Sequence, residues 1–138
     1  MQAVQHMAFG CVDRLKQEAF YTRWLGFERV RVFKPGQPDE FVMLRLGSTC
    51  IEFFGTDDGT TAAPGPLPVG FRHLAFEVPD LDAKVSDMKA AGVEMGDIID
   101  CDAMVKGMRV CFFSDPEGNQ LELMEGWHDE QNPPPFPG

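Results

Sequence analysis

Residues 6–13 read HMAFGCVD and residues 73–80 read HLAFEVPD, so one short pattern occurs twice in this chain of 138 residues. The copies start 67 residues apart (73 − 6) and share His, Ala, Phe and Asp at matched positions. Repetition of this kind is typical of folds built from copies of one supersecondary unit. The pattern therefore predicts two modules of similar structure.

A helix is predicted directly after each copy. Asp13 and Asp80 stand where an N-cap side chain would accept hydrogen bonds from free backbone amides. Gly26 and Gly92 follow where a helix would end in a left-handed cap. Apolar residues at helical spacing predict that each helix buries one face. These residues are Leu15, Ala19, Phe20 and Trp24 in the first helix, and Leu81, Val85 and Met88 in the second.

Three strands are predicted after each helix, from apolar and β-branched runs separated by turns rich in Gly and Pro. In the first copy they are residues 28–33, 41–46 and 48–54, and in the second copy they are residues 93–99, 106–113 and 120–124. Each copy thus reads β-α-β-β-β. The chain is predicted to be an α+β protein of two tandem βαβββ modules.

The predicted boundaries follow the composition along the chain. The first module covers residues 1–54 and the second covers residues 71–126. Residues 55–70, rich in Gly, Pro and Thr, are the predicted linker, and residues 127–138 are a Pro-rich tail.

The composition of the whole chain narrows the class of protein. A formal net charge of −10 argues against nucleic acid or an anionic membrane as the main partner. No apolar run is long enough to span a membrane, and the N-terminus lacks the pattern of a signal peptide. The four cysteines contain no C-x-x-C pair and are too sparse for a disulfide scaffold. We therefore expect a cytoplasmic protein with reduced thiols.

Each module carries one histidine and one glutamate at matched strand positions. His6 and His73 lie on the first strands, and Glu52 and Glu122 lie on the last strands, 46 (52 − 6) and 49 (122 − 73) residues further on. Both carboxylates stand among apolar residues, where an unpaired charge is costly. A divalent ion bound by two carboxylates and two neutral imidazoles is charge-balanced. The recurrence predicts that these four residues together bind one divalent metal ion.

The same segments resemble the vicinal oxygen chelate superfamily, which includes glyoxalases, bleomycin resistance proteins and dioxygenases. The resemblance covers about residues 4–126 and is carried by HMAFGCVD, AFYTRWLGF, CIEFF, RHLAFEVPD and SDPEGNQLELME. It implies paired βαβββ modules that form a curled half-barrel around a metal site. The ligand set resembles most closely that of glyoxalase I (lactoylglutathione lyase), whose four ligands correspond to His6, Glu52, His73 and Glu122.

This resemblance implies a metal-dependent lyase or isomerase. The substrate would chelate the metal through two adjacent oxygens, and a glutamate would move a proton via an enediolate. Glu122 is the expected base and Glu52 is the second candidate. Four protein ligands leave two positions on an octahedral ion, which suits such a chelate and leaves no room for O₂. The mixed nitrogen and oxygen ligands fit Ni, Co, Zn or Mn.

Two other functions stay open. One is an epimerase similar to methylmalonyl-CoA epimerase, although such enzymes typically have Gln where this chain has Glu52. The other is a non-catalytic small-molecule-binding protein of the resistance type, although such proteins usually lack the ligands that this chain has.

The substrate and the assembly are less constrained. The resemblance places glutathione-gripping Arg and Asn residues at positions that are Gly10 and Thr56 here, so glutathione is not favoured as the carrier. Lys106, in a Lys–Gly pair that matches a family loop, and Arg109 are predicted to bind an anionic group of the substrate. A homodimer is expected. The metal site would lie within one chain or be shared between two.

Overall fold

The computed structural model describes residues 5–56 and 73–135. The first repeat consists of β1 (His6–Cys11), α1 (Arg14–Leu25), β2 (Glu28–Phe33), β3 (Phe41–Leu46) and β4 (Thr49–Gly55). The second repeat consists of β5 (Leu74–Glu77), α2 (Leu81–Ala90), β6 (Met95–Asp100), β7 (Arg109–Ser114) and β8 (Gln120–Glu125). This order confirms the α+β fold with two tandem βαβββ modules. Residues 57–70 of the predicted linker and residues 136–138 of the predicted tail lie outside the described residues.

Each repeat forms one four-stranded mixed sheet. The strand orders are β1-β4-β3-β2 and β5-β8-β7-β6. In both sheets the first strand of the repeat runs parallel to the last, whereas the hairpin strands β2 with β3 and β6 with β7 pair antiparallel. A parallel pair needs a long connection, which the helix and the hairpin supply. His6 lies on β1 and His73 immediately precedes β5, so each histidine lies next to the strand that carries the glutamate of the same repeat.

The predicted helix caps are present. Asp13 and Asp80 each accept a hydrogen bond at 2.9 Å from the backbone amide three residues further on. Gly26 ends α1 with φ 73°, and Gly92 has φ 87° just after α2, in the left-handed region that favours glycine. With 12 and 10 residues, neither helix of the described segments is long and apolar enough to cross a membrane.

The first sheet packs α1 against an apolar face. Ile51 and Phe53 of β4 are fully buried, and the ring of Tyr21 on α1 lies 5.0 Å from that of Phe53 between centroids. The predicted buried face of α1 was wrong, because Leu15 is 66% exposed whereas Gln17 is fully buried. The helix is oriented by polar contacts that the apolar pattern does not contain.

Those polar contacts converge on one buried carboxylate. Asp115 accepts hydrogen bonds from Gln17 Nε2 at 2.5 Å and from the Tyr21 hydroxyl at 3.0 Å. It also accepts backbone amide hydrogen bonds from Glu117 and Asn119 at 3.0 and 2.9 Å. Donors that replace water make the burial of this carboxylate tolerable.

The chain divides into two compact units. The first unit includes residues 5–56 and 114–120, and the second includes residues 73–113 and 121–135. The turn that carries Asp115 is thus grouped with the first repeat, although it connects β7 to β8. The boundaries at residues 54, 71 and 126 remain predictions.

The second unit has the apolar helix packing that the sequence predicts. Leu81, Val85 and Met88 are the buried residues of α2. Leu121 and Leu123 on β8 are fully buried. Because side chains alternate along a strand, Glu122 between them points to the other face of its sheet.

Candidate metal centre

The two His–Glu pairs occupy equivalent positions in the two sheets. Ala8 on β1 is opposite Glu52 on β4, and Ala75 on β5 is opposite Glu122 on β8. The histidine of each repeat precedes that alanine by two residues, so it shares a sheet face with its glutamate. The repeat in the sequence is therefore also a repeat in strand register.

His6 and Glu52 form the pair of the first unit. His6 Nε2 lies 3.4 Å from Glu52 Oε2, with the His6 side chain 43% exposed and Glu52 buried. His6 Nδ1 is hydrogen-bonded with Gln5 Oε1. In the neutral tautomer whose Nδ1 donates to this amide oxygen, Nε2 has the lone pair that a metal ligand needs.

His73 and Glu122 form the pair of the second unit. His73 Nε2 lies 2.9 Å from Glu122 Oε2, the His73 side chain is 28% exposed, and Glu122 is buried. The ring of Phe112 on β7 contacts that of His73 edge-on, with centroids 5.5 Å apart. This pair is closer and more enclosed than that of the first unit.

The chemistry of these donors fits a divalent cation. A buried carboxylate needs compensating charge or hydrogen bonds, and an imidazole lies close to each one. In the neutral tautomer of His6, the lone pair of Nε2 and the carboxylate of Glu52 are two acceptors 3.4 Å apart, which a cation would stabilise. Within neither unit do three or more His, Cys, Asp or Glu side chains of the described residues form a metal-binding group. Each repeat by itself therefore supplies one imidazole and one carboxylate.

Arg109, a predicted substrate-binding residue, is held by carboxylates of its own unit. Its guanidinium donates to Asp82 at 2.6 Å and to Glu125 at 2.8 Å. These hydrogen bonds raise the pKa of Arg109 above its usual value. Glu125 is three residues from Glu122 and points to the opposite face of β8. An anionic substrate would have to compete with both carboxylates, and a substrate-binding role for Arg109 remains a prediction.

Lys106 lies in the turn before β7. Its ammonium pairs with Asp102 at 3.1 Å, and its side chain is 85% exposed. The backbone of this turn lies close to the backbone at Gly126. A Cβ at Gly126 would lie only 2.3 Å from the carbonyl oxygen of Gly107. With Trp127, Lys106 lines an open surface groove of about 880 Å³. An exposed ion pair contributes little, so an anionic ligand could displace Asp102, and this role remains a prediction.

Two neighbours of the histidines were not found from the sequence. Phe112 carried a usable signal, because strand alternation places it on the opposite face from the buried residues Cys111 and Phe113. Gln5 carried none, because nothing in the sequence indicates that its side chain turns toward the adjacent His6.

Comparison with known proteins gives relatives along most of the chain. Residues 3–123 match the Glyoxalase/Bleomycin resistance protein/Dioxygenase superfamily. The uncharacterized protein YwkD of Bacillus subtilis (strain 168) is 35% identical over 127 residues, which cover 91% of this chain and 98% of that protein.

Two solved structures are similar over nearly their whole length. The glyoxalase family protein from Enterococcus faecalis has a TM-score of 0.76 at 31% identity, covering 90% of this chain and 98% of that one. Lactoylglutathione lyase from Agrobacterium tumefaciens has a TM-score of 0.65 at 25% identity, covering 91% and 95%.

Proposed function

Since this chain belongs to the glyoxalase/bleomycin resistance protein/dioxygenase superfamily, we propose that it is a metal-dependent lyase or isomerase of the glyoxalase type. The observation that carries this proposal is the recurrence of a His–Glu pair in the same register of both sheets. Burying a carboxylate costs free energy of folding, and a protein that only encloses a ligand does not need one in its site. Buried carboxylates beside imidazoles are typical of sites that hold metals or move protons. The similarity to a lactoylglutathione lyase supports the same choice.

We propose that His6, Glu52, His73 and Glu122 bind one divalent ion, Ni, Co, Zn or Mn. The two carboxylates balance its charge, and two positions of an octahedral ion remain for two adjacent oxygens of a substrate. When bound, the metal supplies the Lewis acidity that lowers the pKa of a C–H bond beside a chelating carbonyl.

Glu122 is the proposed base. Its Oε2, 2.9 Å from Nε2 of His73, would accept the proton from one substrate carbon and return it to the neighbouring carbon. With the residue only 8% exposed, little water reaches this carboxylate to exchange the proton. Glu52, which is equally buried, is the second candidate for the base.

We propose that the protein works in the cytoplasm as a homodimer on a small molecule. All four cysteines are free thiols, in keeping with a reducing compartment. Twofold-symmetric homodimers are by far the commonest symmetric oligomers. Light scattering on the purified chain measures the assembly directly, and a monomer would contradict this part of the proposal.

Metal content and turnover test the central proposal together. Wild type, Glu122→Gln and the control Glu94→Gln, an exposed carboxylate before β6, are reconstituted with each of the four metals and analysed for metal content. Each is then assayed with methylglyoxal–glutathione hemithioacetal and with methylmalonyl-CoA. We expect about one metal ion per chain. Turnover should fall about 10²- to 10⁴-fold in Glu122→Gln and stay unchanged in Glu94→Gln.

The outcomes separate the alternatives. Turnover of methylmalonyl-CoA alone would favour the epimerase. Metal without turnover of either compound would keep the metal site and exclude both substrates. Absence of metal after reconstitution would overturn the four-ligand proposal and favour a non-catalytic small-molecule-binding protein.

Coexpression decides whether one chain or two supply the ligands. One variant lacks the first pair (His6→Ala with Glu52→Gln), and the other lacks the second pair (His73→Ala with Glu122→Gln). A site shared across a dimer regains about a quarter of the wild-type metal content in the random mixture, because mixed dimers contain one intact site. A site within one chain regains none.

A further inference from the structure

Three stacked aromatic rings lie on the same sheet face as Glu52. Phe33 on β2 is opposite Phe41 on β3, which is opposite Phe54 on β4. The ring centroids of Phe33 and Phe41 are 4.3 Å apart with 7° between planes, and those of Phe41 and Phe54 are 4.3 Å apart with 20°. Phe54 follows Glu52 by two residues and therefore points away from α1 with it. These three rings, the phenylalanine stack, end beside a proposed metal ligand.

The two ends of the phenylalanine stack differ in what the described residues place on them. Above Phe33, the guanidinium of Arg31 lies 5.6 Å from the ring centroid and covers that end. At the other end, Phe54 is 37% exposed, and the residue opposite it on β1 is Gly10, which has no side chain. Among the described residues, a Cβ built on Gly10 would meet only Thr56 Cγ2, at 3.5 Å. Within 4 Å of that Cβ position, the described side chains therefore place only Thr56.

The spacing of the strands suits one further ring. Neighbouring strands lie about 4.8 Å apart, close to the distance at which the three rings of the stack already repeat. A planar group over Gly10 would therefore lie parallel to Phe54 at stacking distance. On β1, Gly10 is four residues from His6. On β4, Phe54 is two residues from Glu52, and this separation is about 7 Å along the strand. A ring bonded directly to a metal-chelating group spans that distance.

Gly10 also departs from the pattern of glyoxalase I. The resemblance places an Arg at this position to grip glutathione, and a long charged side chain there would lie over Phe54. This chain has Gly10 instead, so no charged side chain from this position covers Phe54. The departure that disfavours glutathione thus creates room for a different group.

We propose that a planar aromatic group of the substrate stacks on Phe54 over Gly10, beside the two adjacent oxygens that the metal site would hold. The substrate class is an aryl compound whose ring adjoins neighbouring oxygens, such as an aryl α-hydroxycarbonyl or α-oxocarbonyl compound. The chelating part of this inference rests on the proposed function. The stacking surface consists only of residues of β1 and β4 and needs no metal.

Two hydroxamates that differ only in the ring test the proposal by binding rather than by turnover. Benzohydroxamate and acetohydroxamate both chelate through two adjacent oxygens, and their dissociation constants are measured by calorimetry on metal-loaded protein. Phe54→Leu should weaken benzohydroxamate binding about 3- to 10-fold, the scale of one aromatic contact, and leave acetohydroxamate unchanged. Gly10→Leu should do the same by filling the space. Gly55→Leu, on the opposite face of β4 with nothing within 4 Å of its Cβ, is the matched control and should bind both as wild type does.

A metal-free measurement separates this inference from the proposed function. In metal-free protein, millimolar benzohydroxamate should shift the Hα resonances of Gly10 by the ring current of the bound ring, and acetohydroxamate should not. Phe54→Leu should abolish the shift. If no metal loads but the shift occurs, the stacking site stands and the metal-dependent function falls. The stacking proposal is overturned if benzohydroxamate shifts the Gly10 Hα resonances neither in metal-free nor in metal-loaded protein. It is also overturned if Phe54→Leu leaves the preference for benzohydroxamate over acetohydroxamate intact.

Discussion

The two units place a histidine and a glutamate in one register but orient the histidines by different means. In the first unit, His6 is hydrogen-bonded with Gln5 and its side chain is 43% exposed. In the second, the ring of His73 packs on Phe112 and its side chain is 28% exposed. The difference teaches that the backbone of a βαβββ repeat fixes where a pair can form, whereas neighbouring side chains decide how each imidazole is held.

The helices of the two repeats differ in the same way. The buried face of α2 is apolar, with Leu81, Val85 and Met88. The buried face of α1 includes Gln17 and Tyr21, and both donate to Asp115. One position in the fold is thus filled by hydrophobic packing in one unit and by a buried polar network in the other.

The largest expected effect is on the free energy of unfolding and tests the different contacts that hold the two helices. Asp115→Ala removes the acceptor of several buried donors and should lower the free energy of unfolding by about 3–5 kcal/mol. Val85→Ala, its apolar counterpart on α2, should cost about 2 kcal/mol. Urea denaturation of both variants measures the difference. A smaller loss for Asp115→Ala than for Val85→Ala would show that apolar contacts hold α1 as well.

The next effect tests whether the two pairs act as one set. Glu52→Gln and Glu122→Gln should each weaken metal binding by about 100-fold or more, since even partners outside the ligand shell contribute up to that amount. Competition with a chromogenic chelator gives both constants, and Glu28→Gln serves as the exposed control for the first unit. Loss of affinity in only one of the two variants would mean that one pair binds metal alone.

A smaller effect sharpens the contrast between the two histidines. Gln5→Ala removes the acceptor that orients His6 and should weaken metal binding about 10-fold. Phe112→Leu keeps an apolar neighbour for His73 and should weaken binding only about 3-fold. The same chelator competition measures both. The reverse order would show that ring packing restrains an imidazole more than its hydrogen bond does.

The smallest effect concerns the buried thiols of the two units. Burial, with the charges of Glu117 and Asp115, raises the pKa of Cys11 from 9.0 to about 12. Burial also raises the pKa of Cys111, but the charge of Lys89 opposes it. Above about pH 9 the unfolded thiol ionises and the folded one does not, so the stability that protonated Cys11 contributes at lower pH is lost as pH rises toward 12.

Alanine substitutions measure this contribution. Between about pH 8 and pH 10, the free energy of unfolding should decline less steeply in Cys11→Ala than in wild type, by the equivalent of at most about one proton per molecule. Cys111→Ala should flatten the decline less. Equal slopes in wild type and Cys11→Ala would contradict the raised pKa of Cys11.

Much of the fold followed from the sequence because its signals are local. The bounds of β2 and β3 agree with the predicted strands, and Asp13 and Asp80 cap their helices as expected. The buried face of α1 did not follow, because Gln17 is buried and donates to Asp115, which is 98 residues away in the sequence. Hydrophobic periodicity indicates which residues are buried by apolar packing. It does not indicate a polar partner that is distant in the sequence.

The sequence by itself determined the two repeats and the residues that form each pair. The spacing of strands along the chain sets which positions become neighbours when the first and last strands of a repeat pair in parallel. Tertiary structure alone decided that Phe33, Phe41 and Phe54 stack toward Gly10. These contacts join side chains across strands whose register depends on hydrogen bonds between backbones, and that register is not written in any single segment of the chain.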